Sequence, residues 1–187
     1  MKTISSEELL RTPIFWITRD VAIDPDGFEI TRAIVQHGGS AVVMPVDEKG
    51  RVLLVKQYRL PARRYMWELC AGRMDPGEKV LQTAKRELQE ETGLRAKKIT
   101  KLAEFWVSPG FLSEHMTLFL ATGLTAGEQK PMDDERIETR WFTAAEIEKM
   151  IDSGKIPDAK TQIGFYRWQA LLKKQKRAAA AKKRTSR

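Results

Sequence analysis

The sequence predicts an α/β (α+β) sandwich, a mixed sheet covered by helices. Three observations carry that expectation. Short apolar runs bounded by turn residues recur as far as Phe142. A helical stretch interrupts them after Glu78, and two more helical stretches close the chain.

The elements follow in order. Residues 14–23 and 27–36 flank Asp24-Pro25-Asp26-Gly27, a strong turn signal, and read as a hairpin. Residues 40–46 and 52–59 flank Asp47-Glu48-Lys49-Gly50 and read as a second hairpin. Further strands are expected at residues 67–71, 100–107, 116–122 and 137–142. Residues 79–92 hold good helix formers without Gly or Pro, and Gly93 stands where a left-handed cap is wanted. Thr143 and Glu146 have capping-box spacing, opening a helix that stops at Gly154. Asp158 caps a last helix over about residues 161–174, whose Ile163, Tyr166, Trp168, Ala170 and Leu171 form an apolar side. The chain shows no internal repeat.

Composition narrows the class. With 187 residues and 42% hydrophobic content the chain supports one core plus an appendage. No apolar run approaches bilayer-spanning length and residues 1–16 hold no uninterrupted apolar region, so the expected location is cytoplasmic, with no membrane contact. The single cysteine, Cys70, excludes an internal disulfide and reads as an inert core residue. Trp16, Trp67, Trp106, Trp141 and Trp168 read as packing, and His37 and His115 as structural or turn residues.

The net charge of +8 is local. Lys173, Lys174, Lys176, Arg177, Lys182, Lys183, Arg184 and Arg187 account for all of it, with no acid among residues 173–187. Residues 173–187 therefore read as a basic tail that extends the last helix and then frays. It serves solubility, or a weak, salt-sensitive nucleic-acid contact with RNA or another polyanion.

The most informative run is GRMDPGEKVLQTAKRELQEETGL, residues 72–94. It sets five residues between Gly72 and Glu78 and seven more before Arg86-Glu87-Leu88, followed by Glu90-Glu91 and Gly93-Leu94. At 100° per residue Val80, Leu81, Ala84 and Leu88 make one arc, while Glu87, Glu90 and Glu91 fall on the adjoining one. Carboxylates three and four residues apart repel unless a cation intervenes. An all-oxygen set without His or Cys suits Mg²⁺, with Mn²⁺ as a substitute. A merely solvated acidic helix pairing with Lys79, Lys85 and Arg86 would need neither the glycines nor the DPGE turn at fixed distances. Arg86 reads as an orienting residue for Glu90 and Glu78.

At every defined position the run resembles the Nudix box. Beyond it, residues 15–172 resemble the ADP-ribose pyrophosphatase branch of that family, through HGGSAVV, VKQYR, SPGFLSE at residues 108–114, and the acidic MDDERIE loop. This chain departs in having Gly39 and Cys70 where the branch often has Pro. The resemblance implies a Nudix-type α/β/α sandwich with an N-terminal antiparallel strand extension. Residues 1–38 are then the dimerising extension, 39–172 the hydrolase domain and 173–187 the tail.

The resemblance also assigns roles. Glu87, Glu90, Glu91 and the carbonyl of Ala71 resemble magnesium ligands, and Glu135 an additional one. Arg86, Glu90, Glu135 and Asp133, in the place of a catalytic base, form the catalytic set; a merely solvated turn is the lesser alternative for the loop acids. Arg59 resembles the residue that meets the substrate phosphates and Glu114 a substrate contact, with Arg73 beside them. Phe28 and Arg32 resemble residues that reach the neighbouring subunit's substrate. What this implies is a homodimer that hydrolyses ADP-ribose or another nucleoside diphosphate sugar to AMP and a sugar phosphate. The alternatives are GDP-mannose or dinucleoside polyphosphate hydrolysis, or a Nudix-fold sensor or RNA-binding module; sensors can discard the metal acids, and this chain keeps them.

Overall fold

A computed structural model describes residues 1–129 and 136–185. Its strands are β1 (Lys2–Arg11), β2 (Trp16–Ile23), β3 (Glu29–Gln36), β4 (Ser40–Pro45), β5 (Val52–Arg59), β6 (Arg64–Glu68), β7 (Cys70–Arg73), β8 (Leu94–Trp106), β9 (His115–Ala126) and β10 (Glu138–Phe142). The helices are α1 (Val80–Thr92), between β7 and β8, then α2 (Ala144–Asp152) and α3 (Ala159–Thr185).

The strands form three sheets, ordered β1-β2-β3, β10-β5-β6 and β7-β4-β9-β8. The last is mixed, since β4 runs parallel to β9 while its other pairs are antiparallel. β4 explains the layering. Val42 and Met44 enter a core shared with Leu54, Phe142, Ile147, Phe165 and Trp168, whereas Ala41 and Val43 enter one shared with Ala84 and Leu88. Alternate side chains of a strand leave opposite faces, so a strand covered on both sides reads as a continuous apolar run. Helix α1 thus covers one face of the mixed sheet, and the second sheet with α2 and α3 covers the other.

Three expectations are corrected. The second hairpin does not form: the chain reverses at Asp47–Gly50, but β4 and β5 enter different sheets and share one isolated bridge, Val46 to Val52. The turn residues dictated the reversal, and burial of both β4 faces chose other partners. The strand expected at 67–71 is two strands in two sheets. They part at Leu69, whose N–H donates to Thr161 Oγ1 at 2.8 Å. Strand β1 was not foreseen, because all its residues are exposed and, among the described strands, it pairs with β2 at the edge of its sheet.

The caps formed as expected. Gly93 closes α1 at φ 67°, Glu146 Oε2 accepts from the Thr143 N–H at 2.8 Å, and Asp158 Oδ2 accepts from the Thr161 N–H at 3.0 Å. Helix α3 runs well past residue 174. Cys70 is fully buried, and burial, followed by the charges of Glu91 and Glu87, pushes its thiol well above the usual range. Trp106 departs from the packing expectation, being 56% exposed with its edge against His115. Among the described residues no helix is long and apolar enough to cross a membrane.

Candidate active site

The turn after β7 brings α1 back across that strand, with Arg86, Glu87 and Glu91 against it. The buried face of α1 is Thr83, Ala84, Glu87, Leu88 and Glu91, so two acids lie inside it while Leu81 is 40% exposed. Part of the acidic side thus faces the protein together with Ala84 and Leu88 of the apolar arc. Gly72 makes this possible: a Cβ there would overlap the Glu87 carboxylate, whose Oε2 is 2.5 Å from the position it would take. The Ala71 N–H donates to Glu91 Oε2 at 3.2 Å.

Arg86 joins the turn to the helix acids. Its Nη1 donates to Glu87 Oε1 at 2.6 Å and Glu90 Oε2 at 3.0 Å. Its Nε and Nη2 donate to Glu78 at 3.2 and 3.0 Å, and Nη2 also to the Arg73 carbonyl at 3.0 Å. The hydrogen bonds from Arg86, ahead of opposing burial, lower the Glu78 carboxyl to about 2, and Glu78 in turn raises the Arg86 guanidinium. Glu87 and Glu90 are thus turned towards one point, where a guanidinium offsets their repulsion. Among the described residues no three His, Cys, Asp or Glu side chains are gathered as a metal-holding group.

These residues line a cleft of about 700 Å³. Ala71, Gly72, Arg73, Asp75, Arg86, Glu87 and Glu90 form one side; Arg59, Lys160, His37, Ser40 and Glu114 are also in its lining. Arg59 donates from Nε and Nη2 to the two oxygens of Glu68 at 2.7 and 2.9 Å. Burial works against its charge, but the Glu68 contacts prevail and raise its pKa. Lys160 Nζ contacts the same Glu68 and lies 2.9 Å from Asp158 Oδ1. Glu68 and Lys160 are almost wholly buried, at 1% and 8% exposure. The cleft therefore sets paired cations against clustered carboxylates.

Of the residues expected at the site, Arg59, Arg73, Ala71, Arg86, Glu87, Glu90 and Glu114 line this cleft. Glu91 lies behind it, bonded to Ala71. Arg73 donates to the Pro13 carbonyl, tying the N-terminal segment to the cleft edge. Glu114 accepts from Ser40 Oγ at 2.8 Å, and His37 Nδ1 accepts from the Gly39 N–H at 3.0 Å. Phe28 and Arg32 are not brought to this cleft: Phe28 is 64% exposed, and Arg32 lines a separate hollow with Trp106 and Phe111. Asp133, Asp134 and Glu135 lie outside the described residues. Sequence reasoning did not nominate Lys160 or Glu68; the one signal was a charged residue, Glu68, inside the apolar run WELCAG.

Comparison with known proteins identifies the family. The NUDIX domain matches residues 36–169. The ADP-ribose pyrophosphatase of Bacillus subtilis (strain 168) is 39% identical over 163 residues, covering 86% of this chain and 88% of its own length. The ADP-ribose pyrophosphatase of Mycobacterium tuberculosis (strain ATCC 25618 / H37Rv) is 38% identical over 158 residues, covering 83% of this chain and 76% of its own. A solved structure of an ADP compounds hydrolase superposes with a TM-score of 0.79 at 21% identity, over 94% of this chain and 96% of that one, and so shares the fold. The chain belongs to the NUDIX domain family, on the branch that holds the ADP-ribose pyrophosphatases.

Proposed function

We propose that this protein is a divalent-metal-dependent hydrolase that splits the diphosphate of ADP-ribose, or of a closely related nucleoside diphosphate sugar, into AMP and a sugar phosphate. The observation that carries the reading is the cleft itself, with Glu87 and Glu90 turned inward beside Gly72 and with Arg59 and Lys160 in the same lining. A linking diphosphate is dianionic. It needs cations on its oxygens and a carboxylate-held metal at the attacked phosphorus.

The residues present fit such a metal. Glu87, Glu90, Glu91 and the Ala71 carbonyl are all hard oxygen donors, and Gly72 offers no side chain to crowd them. Mg²⁺ suits this set, with Mn²⁺ as its substitute. When bound, the ion neutralises phosphate oxygens and acidifies water. The chain supplies the rest. Arg86 and Glu78 hold the carboxylates in register, and Arg59 with Lys160 neutralises the diphosphate. Glu114, steadied by Ser40, stands ready for a sugar hydroxyl. A carboxylate takes the proton of the attacking water, with Glu90, Asp133 and Glu135 as the candidates; Glu135 is also proposed as a further ligand.

The same proposal includes a cytoplasmic homodimer. Strand β1 of the β1-β2-β3 sheet carries Ile4, Leu9 and Leu10 at 44–52% exposure, and Phe28 and Arg32 stand away from their own chain's cleft. Both facts suit residues that serve a neighbouring copy.

The test is a panel of ADP-ribose, other ADP-sugars, GDP-mannose, diadenosine compounds and ATP, each with Mg²⁺ and Mn²⁺ and with products resolved by chromatography. ADP-ribose leads in kcat/KM and gives AMP and ribose 5-phosphate. Preference for another diphosphate would move the substrate assignment; tight binding without hydrolysis of any would overturn the enzyme reading.

A further inference from the structure

Beyond Leu172 the described side chains of α3 take no part in the core. Leu172 is the final residue packed against it, and every described side chain from Lys173 to Lys182 is exposed. Over residues 173–185 the helix extends about 20 Å at 1.5 Å per residue. Residues 173–187 carry charge equal to the whole net +8 of the chain, without an acid, and none of the described ones lines the cleft. Taking Lys173 as origin, Arg177, Lys174, Lys182 and Lys176 stand at about 40°, 100°, 180° and 300° around the axis.

We propose that this arm is a nucleic-acid-binding element that grips phosphates without reading bases. The distribution of charge selects that partner. A helix lying on an anionic membrane presents a bulky apolar face to the lipid and a basic face to water. Beyond Leu172 the only apolar residues are Ala178, Ala179, Ala180 and Ala181, and cations surround the axis. Cations on opposite flanks can be engaged together only by a polyanion that surrounds the helix, as the two phosphate walls of a groove or a wrapped single strand do. Gln175 is the one uncharged amide in residues 173–185, so base-edge contacts are few.

Fluorescence anisotropy of the full-length protein with a labelled 20-base-pair DNA duplex and a labelled 20-nucleotide RNA tests this. Five described cations give a slope of log K against log salt of about −4 to −5 on duplex, a loss of roughly 250- to 1000-fold between 50 and 200 mM KCl. The full-length variant K173Q/K174Q/K176Q/R177Q/K182Q keeps helix-forming side chains. It loses binding at least tenfold at 50 mM KCl while its diphosphate hydrolysis stays at the wild-type rate. Absence of salt-dependent binding to either nucleic acid overturns the proposal. So does binding unchanged in the five-glutamine variant, or capture by phosphatidylserine vesicles under conditions where neither nucleic acid binds.

Discussion

Gly72→Ala is the sharpest probe of how the site is built. The φ of Gly72 is not in the left-handed region, so Ala meets no backbone penalty and its effect is steric. The new Cβ overlaps the Glu87 carboxylate, and even Oε2, 2.5 Å away, must retreat about 1 Å to reach an ordinary contact of about 3.5 Å. That motion breaks the 2.6 Å bond from Arg86 Nη1, a charge-assisted contact in a half-buried setting. Its loss costs about 2 kcal/mol of stability, or about 4 to 8 °C in Tm for a chain of this size. Activity suffers in proportion to displacement: a shift of about 1 Å in an oxygen proposed to hold the metal lowers kcat/KM about 100-fold, or about 2.7 kcal/mol of barrier. Thermal melts and ADP-ribose turnover measured on the same preparation separate the two effects. A well-folded variant with kcat/KM within threefold of wild type would refute the close approach of β7 to α1 as the basis of the site.

Three further predictions follow from the same contacts. The depressed Glu78 carboxyl contributes stability that is fully present above its ordinary value of 4.5 and is lost as pH falls towards about 2. Acid titrations of wild type and Glu78→Gln should therefore diverge above that window and converge within it; parallel curves would contradict the pairing with Arg86. Lys160→Met leaves the buried Glu68 with Arg59 alone and should destabilise by about 3 kcal/mol, which Glu68→Gln in the same chain partly restores; a single variant as stable as wild type would disprove the network. Deleting residues 1–36 should convert a dimer to a monomer in sedimentation and abolish hydrolysis, whereas a full-length monomer would dismiss the proposed role of the β1-β2-β3 sheet.

What was legible in the sequence was what local chemistry specifies. Helix α1 and its Gly93 cap came out of residues adjacent in the chain, as did the Thr143–Glu146 and Asp158 caps. Pairing was less legible. Asp47–Gly50 announces a reversal but cannot say that β4 joins β7 and β9 while β5 joins β6 and β10. Strand β1 carries no core face, so no alternation marked it. In the candidate site, the helix acids and Arg86 lie in one motif, so the sequence alone nominated them. Glu68 and Lys160 were missed because they meet across 92 residues, and their pairing shows only once α3 is docked beside β6. The rotation of α1 that buries Glu87 and Glu91 in place of Leu81 was likewise set by Gly72 and Ala71 on another strand.

The most direct test of metal-dependent hydrolysis at α1 is ADP-ribose turnover by Glu91→Gln at saturating Mg²⁺. Glu91 is buried at 2% exposure, and Gln preserves its volume and its ability to accept the Ala71 N–H while removing one charge. Loss of a ligand charge at the metal should lower kcat by at least about 100-fold, roughly 2.7 kcal/mol, with the melting transition still cooperative. Turnover within threefold of wild type would contradict α1 as the metal site.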